Sequence, residues 1–309
     1  MYWAMNLGDR ESMKVLVTGG TGLLGYWIVY TLNSKGFEVY ATYHEKSPPQ
    51  LDAKWIKLDL EDCENIASSI RAVKPDIIIH TAAYTDVDGC EIDKARAFRI
   101  NYLGTSSLAE ISKDVELFVY ISTDYVFDGE KGLYNEEDIP TPINYYGLTK
   151  LLGEVAVKTF LSNNGCIVRV SGLYGYSPTG KKNFGLMALE KLMKRELVEA
   201  FTNQWLSPTY VKSFAGIIPM LIEKKPVGIL HVAGERLSRY EFATMLADTL
   251  GVDRNLVKPK FMEAAKLVAK RPRDSSLNIS KARELGLVIP PTSECLKDMI
   301  STYKEFMWR

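Results

Sequence analysis

Three short stretches carry side chains suited to exchanging a proton with a carbonyl oxygen. Tyr146 and Lys150 stand four residues apart in Tyr146-Gly147-Leu148-Thr149-Lys150, a spacing that puts both on one face of a helix. A phenol titrates near about 10 and is a poor acid or base at neutral pH. An ammonium beside it favours the phenolate and lowers that value. Tyr145 lies five before Lys150 and points elsewhere, so Tyr146 is the expected acid. Upstream, Ser122-Thr123-Asp124 closes an apolar run, where a Ser or Thr hydroxyl can hydrogen-bond a reacting carbonyl. Each pattern alone is ordinary. A Tyr/Lys pair at this spacing is often a surface pair, and a hydroxyl at a strand end often only caps a turn.

The third stretch is Thr18-Gly19-Gly20-Thr21-Gly22-Leu23-Leu24-Gly25. Gly19, Gly22 and Gly25 read as GxxGxxG, and Gly20, Gly22 and Gly25 as GxGxxG. The motif is weak by itself, but here it follows a strand-like run, KVLVT, and opens a helical one. Backbone without side chains lets a pyrophosphate approach, and free N–H groups at a helix start bind anions. A nucleotide P-loop is excluded, because no Lys-Ser/Thr follows the glycines. Dinucleotide sites for NAD usually carry an acid at the end of the second strand. This strand ends Thr42-Tyr43-His44-Glu45-Lys46, with no acid at Thr42 or Tyr43. His44 and Lys46 suit a 2′-phosphate, so NADP(H) is favoured. NAD(H) stays open through Glu45.

The elements that must position these residues follow from apolar periodicity. Strands are expected at Lys14 to Thr18, Phe37 to Thr42, Trp55 to Leu58, Asp76 to His80, Glu116 to Ser122 and Cys166 to Ser171. Helices are expected at Leu23 to Lys35, Glu61 to Val73, Asp93 to Ile111 and Tyr145 to Leu161. This alternation predicts βαβ units and a parallel sheet. Beyond Ser171 it weakens, with a loop at Tyr174 to Lys182 and helices at about Asn183 to Arg195, Thr209 to Glu223, Ser238 to Leu250 and Glu294 to Phe306. A lone strand, Gly228 to Val232, is expected to return to the main sheet. The fold class is α/β: a doubly wound parallel sheet with a smaller mixed C-terminal part. We expect a loose extension over 1–12, a dinucleotide-binding domain over 13–172 joined by 228–236, and a mainly substrate-binding part over 173–309.

Composition narrows the partners. The 309 residues hold 38 Lys+Arg and 38 Asp+Glu, a net charge of zero. That balance argues against gripping nucleic acid through bulk charge. Four scattered cysteines without a CxxC pair exclude a disulfide scaffold and point to a reduced, cytoplasmic setting. Three histidines and no HExxH give no expectation of a metal site. No apolar run approaches about 18 residues, so no membrane span is expected.

Longer stretches resemble the dTDP-4-dehydrorhamnose reductase family of extended short-chain dehydrogenases/reductases. They are VLVTGGTGLLG (Val15 to Gly25), HTAAYTDVDGCE (His80 to Glu91), NYLGTSSLAE (Asn101 to Glu110) and ISTDYVFDG (Ile121 to Gly129). YNEEDIPTPINYYGLTKLLGE (Tyr134 to Glu154), SPTYV (Ser207 to Val211) and RPRDSSLN (Arg271 to Asn278) complete the set. The resemblance implies a Rossmann domain and reduction of a 4-keto-6-deoxy nucleotide sugar. It implies Thr123, Tyr146 and Lys150 as the catalytic triad. Gly19, Thr21, Gly22, Leu23, Leu24 and Gly25 would hold the cofactor pyrophosphate, with Tyr43 and His44 at the ribose and Asp59 and Leu60 by the adenine. Ala82, Ala83, Tyr84, Asn101, Ser122 and Gly172 would follow along the cofactor. Asp124, Tyr125, Arg271 and Arg273 would face the substrate. Leu173 stands where reductases of this family carry a tryptophan-containing version. Two alternatives stay open: a nucleotide-sugar epimerase, and a non-catalytic subunit, since Tyr120 to Glu154 and RPRDSSLN are also similar to the regulatory β subunit of methionine adenosyltransferase. A homodimer is a further expectation.

Overall fold

Seven short runs assemble into one parallel sheet. They are β1 (Lys14–Thr18), β2 (Glu38–Tyr43), β3 (Lys54–Lys57), β4 (Ile77–His80), β5 (Leu117–Thr123), β6 (Gly165–Val170) and β7 (Gly228–His231). The computed structural model describes residues 13–307, so the expected extension over 1–12 lies outside the described residues. Strand order is β7-β6-β5-β4-β1-β2-β3, and every adjacent pair is parallel. The central strands are buried at every residue of β4, β5 and β6. Helices cover both faces, which is why these runs read as continuously apolar rather than alternating.

The helices between these strands are α1 (Leu23–Ser34), α2 (Cys63–Val73), α3 (Val87–Ile92), α4 (Lys94–Phe98), α5 (Thr105–Ile111) and α6 (Tyr145–Phe160). The helix expected over Asp93 to Ile111 is interrupted by a π-helical segment, Arg99–Gly104, between α4 and α5. The short α3 was not expected from periodicity. Its start is fixed locally, by the Asp86 side chain accepting from the Gly89 amide. Other boundaries differ from expectation by a residue or two, because ladder and cap hydrogen bonds decide where an element ends.

After β6 the chain leaves the sheet and returns at β7. The remaining segments form α7 (Phe184–Met193), α8 (Val211–Lys224), α9 (Arg239–Leu250), α10 (Ser280–Glu284) and α11 (Thr292–Met307). Three small strand pairs tie them together: Leu173–Tyr174 with Thr209–Tyr210, Trp205–Leu206 with Leu237–Ser238, and Val198–Phe201 with Val257–Lys260. Among the described residues no helix is long and apolar enough to cross a membrane.

Two buried histidines brace the sheet, and their partners fix their tautomers. Thr18 Oγ1 accepts from the amides of Thr81 and Ala82, both at 3.2 Å. Its own proton therefore goes to His80 Nδ1, 2.7 Å away, leaving Nε2–H to donate to Thr105 Oγ1 at 3.0 Å. His231 Nε2 lies 3.3 Å from Arg169 Nη1, which can only donate. Nδ1–H of His231 thus donates to the Tyr134 carbonyl at 2.9 Å. Burial drives both imidazoles down to about 3 from 6.5, with Lys150 adding to the effect on His80 and Arg169 on His231. Depressed folded values mean that their contribution to stability is present above 6.5 and lost as pH falls toward about 3. We expect the imidazole NMR signals of His80 and His231 not to titrate in the folded protein above pH 6.5, the ordinary imidazole value, nor for roughly a unit below it. A titration of either imidazole in that window overturns the assignment.

Candidate functional site

A cavity of about 850 Å³ opens at the carboxyl ends of the strands, where the order reverses between β1 and β4. The glycine turn forms one side. An added Cβ on Gly25 would stand 2.1 Å from the Gly19 carbonyl oxygen, so only glycine lets α1 rest against the turn. Gly22 caps α1 with no side-chain hydrogen bond, and the first helical turn holds no acid. Gly19, Thr21, Gly22, Leu23, Leu24 and Gly25 all line the cavity. The helix N-terminus therefore presents amides and a positive dipole end to it. That donor set fits a pyrophosphate.

Tyr43, His44, Asp59, Leu60, Ala82, Ala83, Tyr84, Ser122 and Gly172 also line this cavity. Lys46, Lys181 and Lys182 join them, whereas Glu45 does not. The Lys181-Lys182 pair was legible only as part of a loop. Lys46 Nζ donates to the Thr179 carbonyl at 2.8 Å and so ties that loop to the end of β2. Asn101 is placed differently from expectation, because it does not reach the cavity. Its amide oxygen accepts from the Tyr84 amide at 2.7 Å, and its amide nitrogen donates to the Tyr84 carbonyl and to Thr149 Oγ1. It braces the wall from behind.

Thr123, Tyr146 and Lys150 all line the same cavity. Thr123 is the last residue of β5. Asn144 caps α6 by accepting from the Gly147 amide at 2.8 Å. A Cβ on Gly147 would lie 2.0 Å from the Tyr125 carbonyl oxygen. This close approach sets the start of α6 on the turn that follows Thr123, and with it the Tyr146 phenol. The Tyr125 and Tyr146 rings meet edge to face at 6.0 Å.

The electrostatics correct one expectation. Burial pushes the Tyr146 phenol up, while hydrogen bonding with Thr123 pulls it down. Lys150 does not dominate it. The buried Lys150 Nζ donates to the Ile121 carbonyl at 2.8 Å and sits 4.0 Å from the Tyr120 ring centre. Burial lowers this ammonium to about 7, against the opposing charge of Glu154. A lysine spent on a backbone carbonyl is a weak lever on a phenol that has lost its water. Ser122 turns its hydroxyl to Glu154 Oε1 at 2.5 Å.

On the other side, Asp124 is buried and its carboxylate accepts from three hydroxyls. Thr123 Oγ1 stands at 3.1 Å and Ser171 Oγ at 2.8 Å, and Ser275 Oγ completes the set. Burial raises this acid to about 6, with those hydroxyls working against the rise. Tyr125 lines the cavity, but Arg271 and Arg273 do not. Arg271 pairs with Asp88 at 3.0 Å, and the exposed Arg273 with Glu263 at 3.2 Å. Arg271 has found an acid on α3, distant in sequence, and Arg273 one ten residues before it, pairings that spacing alone does not reveal. Arg239 was missed. Its Nε donates to Gln204 Oε1 at 2.7 Å, and its guanidinium lies over the Phe184 ring at 4.8 Å. It lines a side cavity of about 130 Å³ with Leu173, Tyr174, Phe184 and Phe242, which meets the main cavity at Gly172 and Leu173. Among the described residues no cluster of three or more His, Cys, Asp or Glu side chains could hold a metal.

The RmlD substrate binding domain model matches residues 13–305. The chain belongs to this family. A hypothetical dTDP-4-dehydrorhamnose reductase from Sulfolobus tokodaii is 39% identical, with a TM-score of 0.81 over 91% of this chain and 98% of that one. A dTDP-4-dehydrorhamnose reductase from Bacillus anthracis, solved in complex with NADP, is 32% identical, with a TM-score of 0.82 over 94% and 99%. Methionine adenosyltransferase 2 subunit beta of Rattus norvegicus is 31% identical over 89% of this chain and 83% of its own length. The family match thus spans the glycine turn, the Thr123–Tyr146–Lys150 cluster and the Arg271 loop alike. Leu173 lines both the side cavity and the main one.

Proposed function

We propose that this chain is an NADPH-dependent reductase of a 4-keto-6-deoxy nucleotide sugar. One observation carries the reading: an uncapped glycine-rich helix start and the Thr123–Tyr146–Lys150 cluster open onto a single cavity of about 850 Å³. A reduced nicotinamide, when bound, supplies hydride for carbon 4 of the sugar. Tyr146 donates the proton to the ketone oxygen, Thr123 holds the Tyr146 hydroxyl, and Lys150 offers its ammonium toward the cofactor ribose. Residues 13–172 with 228–236 hold the cofactor, and 173–309 mainly the sugar nucleotide. Tyr125 and Arg239 stand on the substrate side. NADP(H) is favoured over NAD(H) because the basic side chains His44, Lys46, Lys181 and Lys182 line the cavity while Glu45 does not.

A second reading follows from the likeness to methionine adenosyltransferase 2 subunit beta: a regulatory subunit that keeps the same pocket. An epimerase sharing the Tyr/Lys pair is the third. Incubation with NADPH and dTDP-4-keto-6-deoxy-L-mannose separates them. Gain of two hydrogens with stoichiometric cofactor loss is expected. A mass-neutral product points to the epimerase, and no turnover with co-purification of a synthetase points to the subunit.

Tyr146→Phe should lower turnover by about 10²–10⁴-fold, the loss typical of a removed general acid; near-normal turnover rejects the assignment. Lys46→Glu should weaken NADPH binding by about tenfold, or about 1.4 kcal/mol, and NADH binding much less, as read by titration of cofactor fluorescence. Equal losses for both cofactors contradict a 2′-phosphate contact. Two neighbouring helical segments expose Leu103, Leu148 and Val155, apolar surface that suits a homodimer. Sedimentation velocity should show a dimer in the wild type and a monomer in Leu148→Glu/Val155→Glu. A monomeric wild type dismisses it.

A further inference from the structure

Between Gly175 and Asn183 the chain makes a loop that is closed at its base. Asn183 Nδ2 donates to the Gly175 carbonyl at 2.7 Å, and Asn183 Oδ1 caps α7 by accepting from the Leu186 amide at 3.0 Å. The start of the loop is fixed on α1, the helix that opens at the glycine turn: Trp27 Nε1 donates to the Tyr176 carbonyl at 2.7 Å. Its middle is fixed beyond the end of β2, where Lys46 Nζ donates to the Thr179 carbonyl at 2.8 Å. The next residues are held by little. Lys181 and Lys182 are exposed, and an added Cβ on Gly180, at φ +70°, would meet nothing within 4 Å. Lys46, Lys181 and Lys182 all line the main cavity. Among the described residues no acid pairs with any of the three. Glu45 and Asp59 face His44 instead, at 3.9 and 3.5 Å. Three cations on one cavity without an acid among them favour an anion there.

We propose that Tyr176 to Lys182 is a strap that closes on the 2′-phosphate of NADP(H), with Lys181 and Lys182 binding that phosphate together with Lys46. The proposal rests on the cofactor reading above and not on the identity of the sugar. The cofactor pyrophosphate is not the anion in question, because the amides at the start of α1 suit it and need no lysine. Dinucleotide folds hold the adenosine ribose at the end of the second strand, and Lys46 follows the end of β2, Tyr43, closely in the chain. A phosphate monoester carries about 1.5 to 2 negative charges at neutral pH and three acceptor oxygens. An ammonium has three donors, so Lys46 can keep the Thr179 carbonyl and still donate to the phosphate. Closure of the strap and occupation by the phosphate then reinforce one another. Within the strap the remaining ties are local: Ser177 Oγ lies 2.7 Å from Thr179 Oγ1, and the Gly180 amide donates to the Ser177 carbonyl at 3.2 Å. Neither reaches Lys181 or Lys182, which leaves the phosphate as the group that orders them.

Trypsin cuts after exposed lysines in loops that open locally. Nicking of the full chain after Lys181 or Lys182, read from fragment masses, should slow at least about tenfold under saturating NADPH, and much less under saturating NADH. Lys181→Ala/Lys182→Ala should weaken NADPH binding about tenfold or more, as for lost hydrogen bonds to a charged group, and leave NADH binding unchanged. Calorimetry without sugar nucleotide reads both affinities, and a thermal unfolding curve checks that the variant is folded. Equal losses for the two cofactors, no loss for NADPH, or protection by NADPH no better than by NADH overturns the strap. Protection by inorganic phosphate as strong as by NADPH makes the lysines a site for any free anion and also overturns it. If trypsin does not cut there in the free protein, the two affinities decide. The reductase reading fails separately: NADPH that binds and protects the strap, yet is not consumed with the sugar nucleotide, overturns the reduction while the strap stands. A wild type that binds neither cofactor overturns both.

Discussion

The buried ion pair between Glu154 and Arg169 is the interaction on which the centre of the molecule depends. Both side chains are about 1% exposed, and they meet at 2.7 Å. Glu154 stands on α6, one turn beyond Lys150, and Arg169 stands on β6. Ser122 of β5 donates to the same carboxylate, and the Arg169 guanidinium reaches His231 of β7 and covers the Phe127 ring. One pair therefore joins three strands to the helix that carries Tyr146 and Lys150. Removing one partner of such a pair leaves an unpaired buried charge and typically costs roughly 3–5 kcal/mol. The Glu154 charge also opposes the neutralisation of Lys150 by burial. Structural and chemical demands meet in the same carboxylate.

The balanced net charge fits this design. Anion binding here needs placed donors, not surplus positive charge. The α1 terminus supplies amides with no side-chain cap and no acid in its first turn. Basic side chains are local: Lys46, Lys181 and Lys182 line the main cavity and Arg239 the side cavity. Elsewhere several cations are paired with acids. Arg271 and Arg273, the two arginines that the sequence brings forward, are examples.

Much of the fold was legible because its signals are local. KVLVT followed by the glycine run marks a strand, a turn and a helix start in eleven residues or so, and the repetition of strand and helix fixes a parallel sheet. The small strand pairs were not legible. Two-residue strands such as Leu173–Tyr174 carry no periodicity, and their partners lie distant in sequence. The candidate cluster divides in the same manner. Tyr146 and Lys150 were found through helical spacing, and Thr123 through its place at a strand end. Arg239 had no signal, because its meaning comes from Gln204 and Phe184, which only folding brings beside it.

By itself, then, the chain's sequence determined the α/β class, the glycine turn and the residues able to move a proton, since each rests on contacts within a few positions. The tertiary structure alone decided how those residues are set. It turned Asn101 behind the cavity wall, gave the Lys150 ammonium to a backbone carbonyl, and enclosed Asp124 among hydroxyls from three separate segments. The physical reason is that burial and hydrogen-bond partners control both the direction of a hydroxyl proton and the acidity of the group beside it. Those partners arrive from strands and loops that are adjacent only in the folded molecule.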